Sequence, residues 1–214
     1  MRKIIAITGL KGSGKDTTAD YILNKEQGWE KDSYAGILKD IASILFGWDR
    51  KMLAGETPLD RDKREASDLY WSKKLGYDVT PRNMLQRLGT EVFRQHLHPN
   101  IWVDALERKI KDHDKNIIIT DCRFKNEIDM LRANGGKVVR VVREPLPQWF
   151  DKVAELNQKG YNAAGIMNLV PEVKDVHLSE WDWIGYDNPD FILYNNGSFE
   201  DLYSQVDKML DILK

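Results

Sequence analysis

Residues 3–19 read KIIAITGLKGSGKDTTA, and the fold is decided there. Ile4, Ile5, Ala6 and Ile7 form an apolar run too short for a helical core and rich in β-branched side chains, the pattern of a strand buried on both faces. The run passes through Gly9, Gly12, Ser13 and Gly14 to Lys15, and a helix is predicted from Asp16 to about Lys25, with Ala19, Ile22 and Leu23 apolar. Strand, glycine-rich turn, lysine and helix is an arrangement that cradles phosphates. Glycines let backbone N–H groups converge, the helix N-terminus adds its dipole, and the lysine reaches the terminal phosphates. Gly9, Gly14 and Lys15 have the spacing of a nucleoside-triphosphate loop. The next position, where a hydroxyl would meet Mg²⁺, instead holds Asp16, with Thr17 and Thr18 behind it.

Three more strands are predicted downstream: Ile117–Ile119 with Asp121 just beyond its end, Val138–Val142 terminating at Arg143, and Phe191–Tyr194. A short strand finishing at Ser33, Tyr34 and Ala35 is also expected. Between them helical spacing predicts helices over about Gly36–Phe46, from Pro81 onward, over Trp102–Lys111, over Lys125–Asn134 and near Gln148–Gln158. A terminal helix capped by Ser198 would bury Leu202, Val206, Met209 and Leu213. Repeated strand–helix–strand units predict an α/β fold, a predominantly parallel sheet covered by helices in three layers. Two excursions interrupt it, residues 47–101 and 144–189, within a single domain spanning 1–214. In the first, Thr80 and Pro81 open a helix with Met84, Leu85, Leu88 and Val92 on its buried side. Gly89 leaves room there for a ligand or another helix. In the second, HLSEWDW (177–183) reads as exposed.

The 214 residues can bury a full core, and 42% hydrophobic with 31% charged content is ordinary for a soluble globular protein. A net charge of −2 argues against a duplex nucleic-acid binder, and no basic, aromatic-lined path for a single strand is evident. Cys122 is the only cysteine, which excludes an intrachain disulfide and suits a reducing compartment. The four histidines lack metal-ligand spacing, and the first apolar run is too short for a signal peptide or membrane span. A cytoplasmic protein is expected.

The phosphate loop alone leaves both a kinase and a nucleotide-gated switch open. Asp121 and Arg123 follow one strand and Arg143 another, at the strand ends where ligands bind in open α/β sheets. The planar arginine donors suit transferring or acceptor phosphates, Lys15 the donor phosphates. Asp121 could hold hydrated Mg²⁺ or accept a hydrogen bond from the acceptor.

The order of motifs resembles the P-loop nucleoside monophosphate kinase group, most closely the phage-type deoxynucleoside monophosphate kinases. It is carried by GLKGSGKDTTAD (9–20), RNMLQRLGTEVFR (82–94), ITDCRFKNEIDMLRANGGKVVRVVR (119–143), HLSE (177–180) and ILYNNGS (192–198). The resemblance implies transfer from ATP to a deoxynucleoside monophosphate, with Lys15, Arg123, Arg143 and Asp121 in the catalytic centre. It implies donor contacts from Gly9, Lys11, Gly12, Ser13, Gly14, Lys15, Asp16 and Thr17, with Asn196, Gly197 and Ser198 beside adenine. Arg82, Gln86, Gly89 and Thr90 would contact the acceptor, Trp102 would wall its pocket, and Asp121 and Arg123 would form an acceptor-site pair. Mg²⁺ would be held largely through ATP and water, with Asp16 reaching it through water. His177 and Glu180 match a motif without an assigned step. The resemblance makes a homodimer plausible, and a phage protein would work in host cytoplasm. A kinase similar to dephospho-coenzyme A kinase or phosphomevalonate kinase, and a nonkinase nucleotide switch, are the alternatives.

Overall fold

A computed structural model describes residues 2–213, which divide into two compact units, 2–33 with 109–213 and 34–108. In the first, β1 (Ile4–Thr8), β2 (Trp29–Asp32), β3 (Asn116–Ile119), β4 (Lys137–Val142) and β5 (Phe191–Tyr194) form one sheet in the order β2-β3-β1-β4-β5. All the pairings are parallel, with Ile4 opposite Ile117 and Thr8 opposite Arg140. Ile5, Ile7, Ile118, Val139, Val141 and Leu193 pack on one face against Ala19 and Ile22 of helix Lys15–Lys25 and Leu202, Val206 and Met209 of helix Phe199–Leu213. Helix Lys125–Ala133 packs on β1 and β4 with Ile128 and Leu131 buried. The result is the predicted three-layer α/β fold with a parallel sheet. Because the chain crosses to opposite sides of β1, the loop after β1 lies at a topological switch point, where such sheets bind ligands.

Three local expectations are corrected. The second strand, Trp29–Asp32, ends before Ser33–Ala35 rather than finishing there, and Tyr34 already begins a helix. As an edge strand it pairs on one side only, so it tolerates Glu30, Lys31 and Asp32 and shows no apolar alternation. HLSEWDW is not an exposed loop: Trp181 and Trp183 are fully buried. A turn of 3-10 helix at Leu178–Glu180 leads into them, and the buried Asn157 amide donates to the carbonyls of Trp181 (3.3 Å) and Ile184 (2.8 Å). Val92 is 45% exposed rather than buried. Leu88–Gln95 is π-helical, and its wider i→i+5 turn carries Val92 off the stripe of Met84, Leu85 and Leu88.

In the second unit, helices Tyr34–Phe46, Arg50–Ala54, Pro58–Glu65, Leu69–Leu75 and Pro81–Arg87 precede that π-helical segment. Leu38, Ala42, Trp48, Leu53, Val79, Met84 and Trp102 belong to its core. Thr80 caps Pro81–Arg87 through a reciprocal box with Asn83, as the Thr–Pro pair predicts. Gly89 permits a close helix approach, since a Cβ there would lie 2.9 Å from Leu38 Cδ2. No helix among the described residues is long and apolar enough to cross a membrane.

Candidate active site

The loop after β1 is shaped by Gly9, Gly12 and Gly14, all with positive φ. Two of them also leave room for what lies against them. A Cβ on Gly9 would fall 2.5 Å from the Val141 carbonyl oxygen, and one on Gly14 would fall 2.4 Å from Asn195 Nδ2. That Asn195 amide donates to the Ser13 carbonyl at 2.8 Å, tying the loop to the end of β5. Lys15 opens the following helix, and its ammonium donates back to the carbonyls of Gly9 (2.9 Å) and Leu10 (2.8 Å). Burial, and then the positive charge of Arg123, push Lys15 down to about 8, against the opposing pull of Glu180 and Asp16. Ser13 is buried, and its Oγ has no hydrogen-bond partner among the described residues.

Asp16 is exposed and pairs with Lys31 of β2 at 2.8 Å, while Lys31 also reaches Asp20 at 3.4 Å. Partial burial pushes the Asp16 carboxyl up, but the Lys31 ammonium and then Lys15 draw it below its ordinary range. Among the described residues no group of three or more His, Cys, Asp or Glu could hold a metal ion.

Arg123 follows β3 and is held from two sides. Its backbone N–H, with that of Phe124, donates to the buried Glu127 carboxylate at 2.7 and 3.1 Å, and its guanidinium pairs with Glu180. Asp121 lies two residues earlier at the same strand end, partly buried. Arg143 is exposed at the end of β4. Deeper in this unit, Asp187 is fully buried and accepts from Thr8 Oγ1 (2.9 Å) and from the Arg140 guanidinium (Nε at 2.8 Å), bracing β1 and β4 just below the loop. Asn196 accepts from the Glu144 N–H at 2.8 Å, and Ser198 caps the last helix in a reciprocal box with Asp201.

Lys15, Asp16, Arg123 and Glu180 thus share one electrostatic neighbourhood in the first unit. Arg82, Gln86, Gly89, Thr90 and Trp102 belong to the second unit. Arg82, Gln86 and Thr90 are exposed there, whereas Gly89 and Trp102 are buried and bonded to each other, indole N–H to carbonyl, at 3.0 Å. Sequence reasoning missed Glu127, Asn195, Lys31, Arg140 and Asp187 and gave Glu180 no role. Only Glu127 left a local signal, as the acid three residues into a helix after Phe124.

A phosphate loop at the switch point of a 2-3-1-4-5 parallel sheet, with a lysine and an arginine in one charge cluster, defines the class. The chain is a member of the P-loop nucleotide-kinase superfamily, the ATP-dependent kinases of small molecules. Within it, residues 61–155 match the family model for deoxynucleotide monophosphate kinase. The chain is 27% identical to a protein of Acanthamoeba polyphaga mimivirus provisionally named a deoxynucleotide monophosphate kinase, over 97% of this chain and 96% of that one. It is 29% identical to the deoxynucleoside-5'-monophosphate kinase of Escherichia phage T5, over 62% and 72% of the two chains. Among solved structures, the dephospho-CoA kinase from Campylobacter jejuni aligns with a TM-score of 0.47 at 15% identity, over 100% of this chain and 98% of that one.

Proposed function

We propose that this protein transfers the γ-phosphoryl group of ATP to a deoxynucleoside monophosphate, giving ADP and the diphosphate. The observation that carries the reading is the desolvated Lys15 in the phosphate loop within the field of Arg123, two cations with Glu180 as a counter-charge. Such a pair is suited to phosphoryl groups, whose binding relieves its repulsion. The substrate class is supported by the family match over 61–155, which spans Arg82, Gln86, Thr90, Asp121, Arg123 and Arg143.

In this reading an acceptor phosphate oxygen attacks the γ-phosphorus in line, and the bond to the bridging oxygen of the departing ADP breaks. The nucleophile is already anionic near neutral pH, so the protein's tasks are alignment and charge neutralisation. Lys15 exchanges its two loop carbonyls for donor phosphate oxygens, and Arg123 meets the acceptor or transferring phosphoryl group. Asp16 would be a carboxylate candidate to meet, through water, a Mg²⁺ bound with ATP, and the cation would supply neutralisation of phosphate charge. Arg82, Gln86 and Thr90 are the proposed acceptor contacts, and Arg143 a further cation for the phosphates. The lone buried cysteine fits a reducing cytoplasm.

A coupled assay of ADP formation with ATP–Mg²⁺ and a panel of deoxy and ribo monophosphates tests this. Diphosphate formation from the deoxy series is expected. Turnover only with an unrelated acceptor would move the protein to another small-molecule kinase activity, and acceptor-independent hydrolysis would make it a switch.

A further inference from the structure

Glu180 is the acidic member of the charge cluster. It lies at the end of a 3-10 turn, and the residues after it are anchored firmly: Trp181 and Trp183 are fully buried, and the backbone carbonyls of Trp181 and Ile184 are held by Asn157. The next carboxylate, Asp182, accepts from the Lys125 N–H at 3.2 Å, so the segment is bonded to the start of the helix that follows Arg123. From that anchor Glu180 reaches across 57 residues of sequence to the Arg123 guanidinium. The Arg123 backbone is pinned independently by Glu127. With its main chain fixed by one carboxylate and its head group by another, Arg123 has little rotamer freedom left. Neither partner is fully exposed: the Arg123 and Glu180 side chains are 34% and 26% accessible.

We propose that Glu180 is a positioning residue: its carboxylate holds the Arg123 guanidinium in the orientation used for phosphoryl transfer, from a turn anchored by buried tryptophans. The proposal rests on the kinase reading above. It accounts for a carboxylate in a site that binds anions, which would otherwise repel the substrates. Paired with Arg123, the negative charge is spent on orientation, and an arginine already aligned loses less entropy when phosphate arrives.

The test is a four-protein comparison: wild type, Glu180→Ala, Arg123→Ala and the double variant. Glu180→Ala should lower kcat about tenfold, as expected when a reacting group is misaligned, with KM for ATP within about twofold. Glu180→Gln, which keeps an acceptor oxygen, should recover most of the loss. The double variant should be no worse than Arg123→Ala, because the clamp then has nothing left to hold, and at Lys15 the loss of Glu180's pull is offset by the loss of the larger Arg123 repulsion. Losses that multiply, or full activity in Glu180→Ala, would overturn the proposal. A second readout needs no turnover. Side-chain ¹⁵N spectra should show hindered rotation of the Arg123 guanidinium in the wild type and averaging in Glu180→Ala. Identical Arg123 dynamics in the two proteins would refute the clamp. A wild-type protein inactive with every acceptor would refute the kinase reading instead, leaving the spectra to decide the clamp.

Discussion

Replacing Lys15 with Met should make the protein more stable and nearly inactive. The ammonium is desolvated and faces the Arg123 charge, and its pKa falls from 10.5 to about 8. At about 1.4 kcal/mol per pH unit, that drop is a folding penalty of up to about 3 kcal/mol at neutral pH. Methionine removes the charge while keeping most of the stem. It also removes two donors, leaving the carbonyls of Gly9 and Leu10 to other partners, at about 1 kcal/mol each. The balance is a gain of about 1–2 kcal/mol, or about 2–8 °C in Tm for a chain of this length. The pH dependence fixes the sign. A lysine whose folded pKa is depressed destabilises in full below the folded value, and the penalty fades as pH rises from about 8 to 10.5, where the unfolded chain also loses its proton. Urea unfolding of both proteins from pH 7 to 10.5 should therefore show the variant ahead at pH 7 and the gap closing above pH 8. Phosphoryl transfer should fall at least about a hundredfold. A variant less stable than the wild type at pH 7, or a gap indifferent to pH, would refute the burial argument; near-normal transfer would refute the assigned role.

Other substitutions probe other supports. Asp187→Asn takes the charged partner from the part-buried Arg140 and should cost about 3–5 kcal/mol in urea unfolding. Glu127→Ala removes the acceptor for the Arg123 and Phe124 N–H groups, and about 1–3 kcal/mol of stability should go with it, measured by the denaturation midpoint. Gly185→Ala would place a Cβ 2.5 Å from the Ala154 carbonyl oxygen at φ +79, so a loss above about 2 kcal/mol should appear as a lowered Tm. Arg123→Ala should raise the acceptor KM or cut kcat with ATP binding retained; unchanged acceptor kinetics would remove Arg123 from the acceptor side.

The centre of the sheet was legible because strands β1, β3 and β4 are buried on both faces. Runs such as Ile117–Ile119 and Val138–Val142 have no other stable use, and the glycines and lysine after Ile4–Thr8 mark the phosphate loop. One edge strand and the π-helical turn were not legible, because each lacks that two-sided burial or the regular helical period. The edge strand Trp29–Asp32 needs backbone pairing from one neighbour only and leaves no hydrophobic period. In the π-helical segment, the 3.6-residue count that correctly buried Met84, Leu85 and Leu88 fails by Val92.

The site follows a sharper rule. The residues that sequence places well are those whose surroundings are set by near neighbours, such as Lys15, whose ammonium bonds the loop carbonyls of Gly9 and Leu10. What could not be read were charges whose partner lies far along the chain. Arg140 sits inside an otherwise apolar strand and meets Asp187, 47 residues on. Arg123 meets Glu180, 57 residues on. A lone arginine in a buried strand does demand a counter-charge, since an unpaired one would be prohibitively costly, but sequence does not say which acid supplies it. HLSEWDW shows why the direction of error mattered. Its polar letters suggested a solvated loop, yet its two tryptophans are the largest fully buried side chains among the described residues, and they bring Glu180 to the arginine. The apolar residues of that segment supply the anchor, and Glu180, between its histidine and its tryptophans, supplies the charge. Separated, neither group would have carried a functional reading; folded together they place a carboxylate where the proposed phosphate site has use for one.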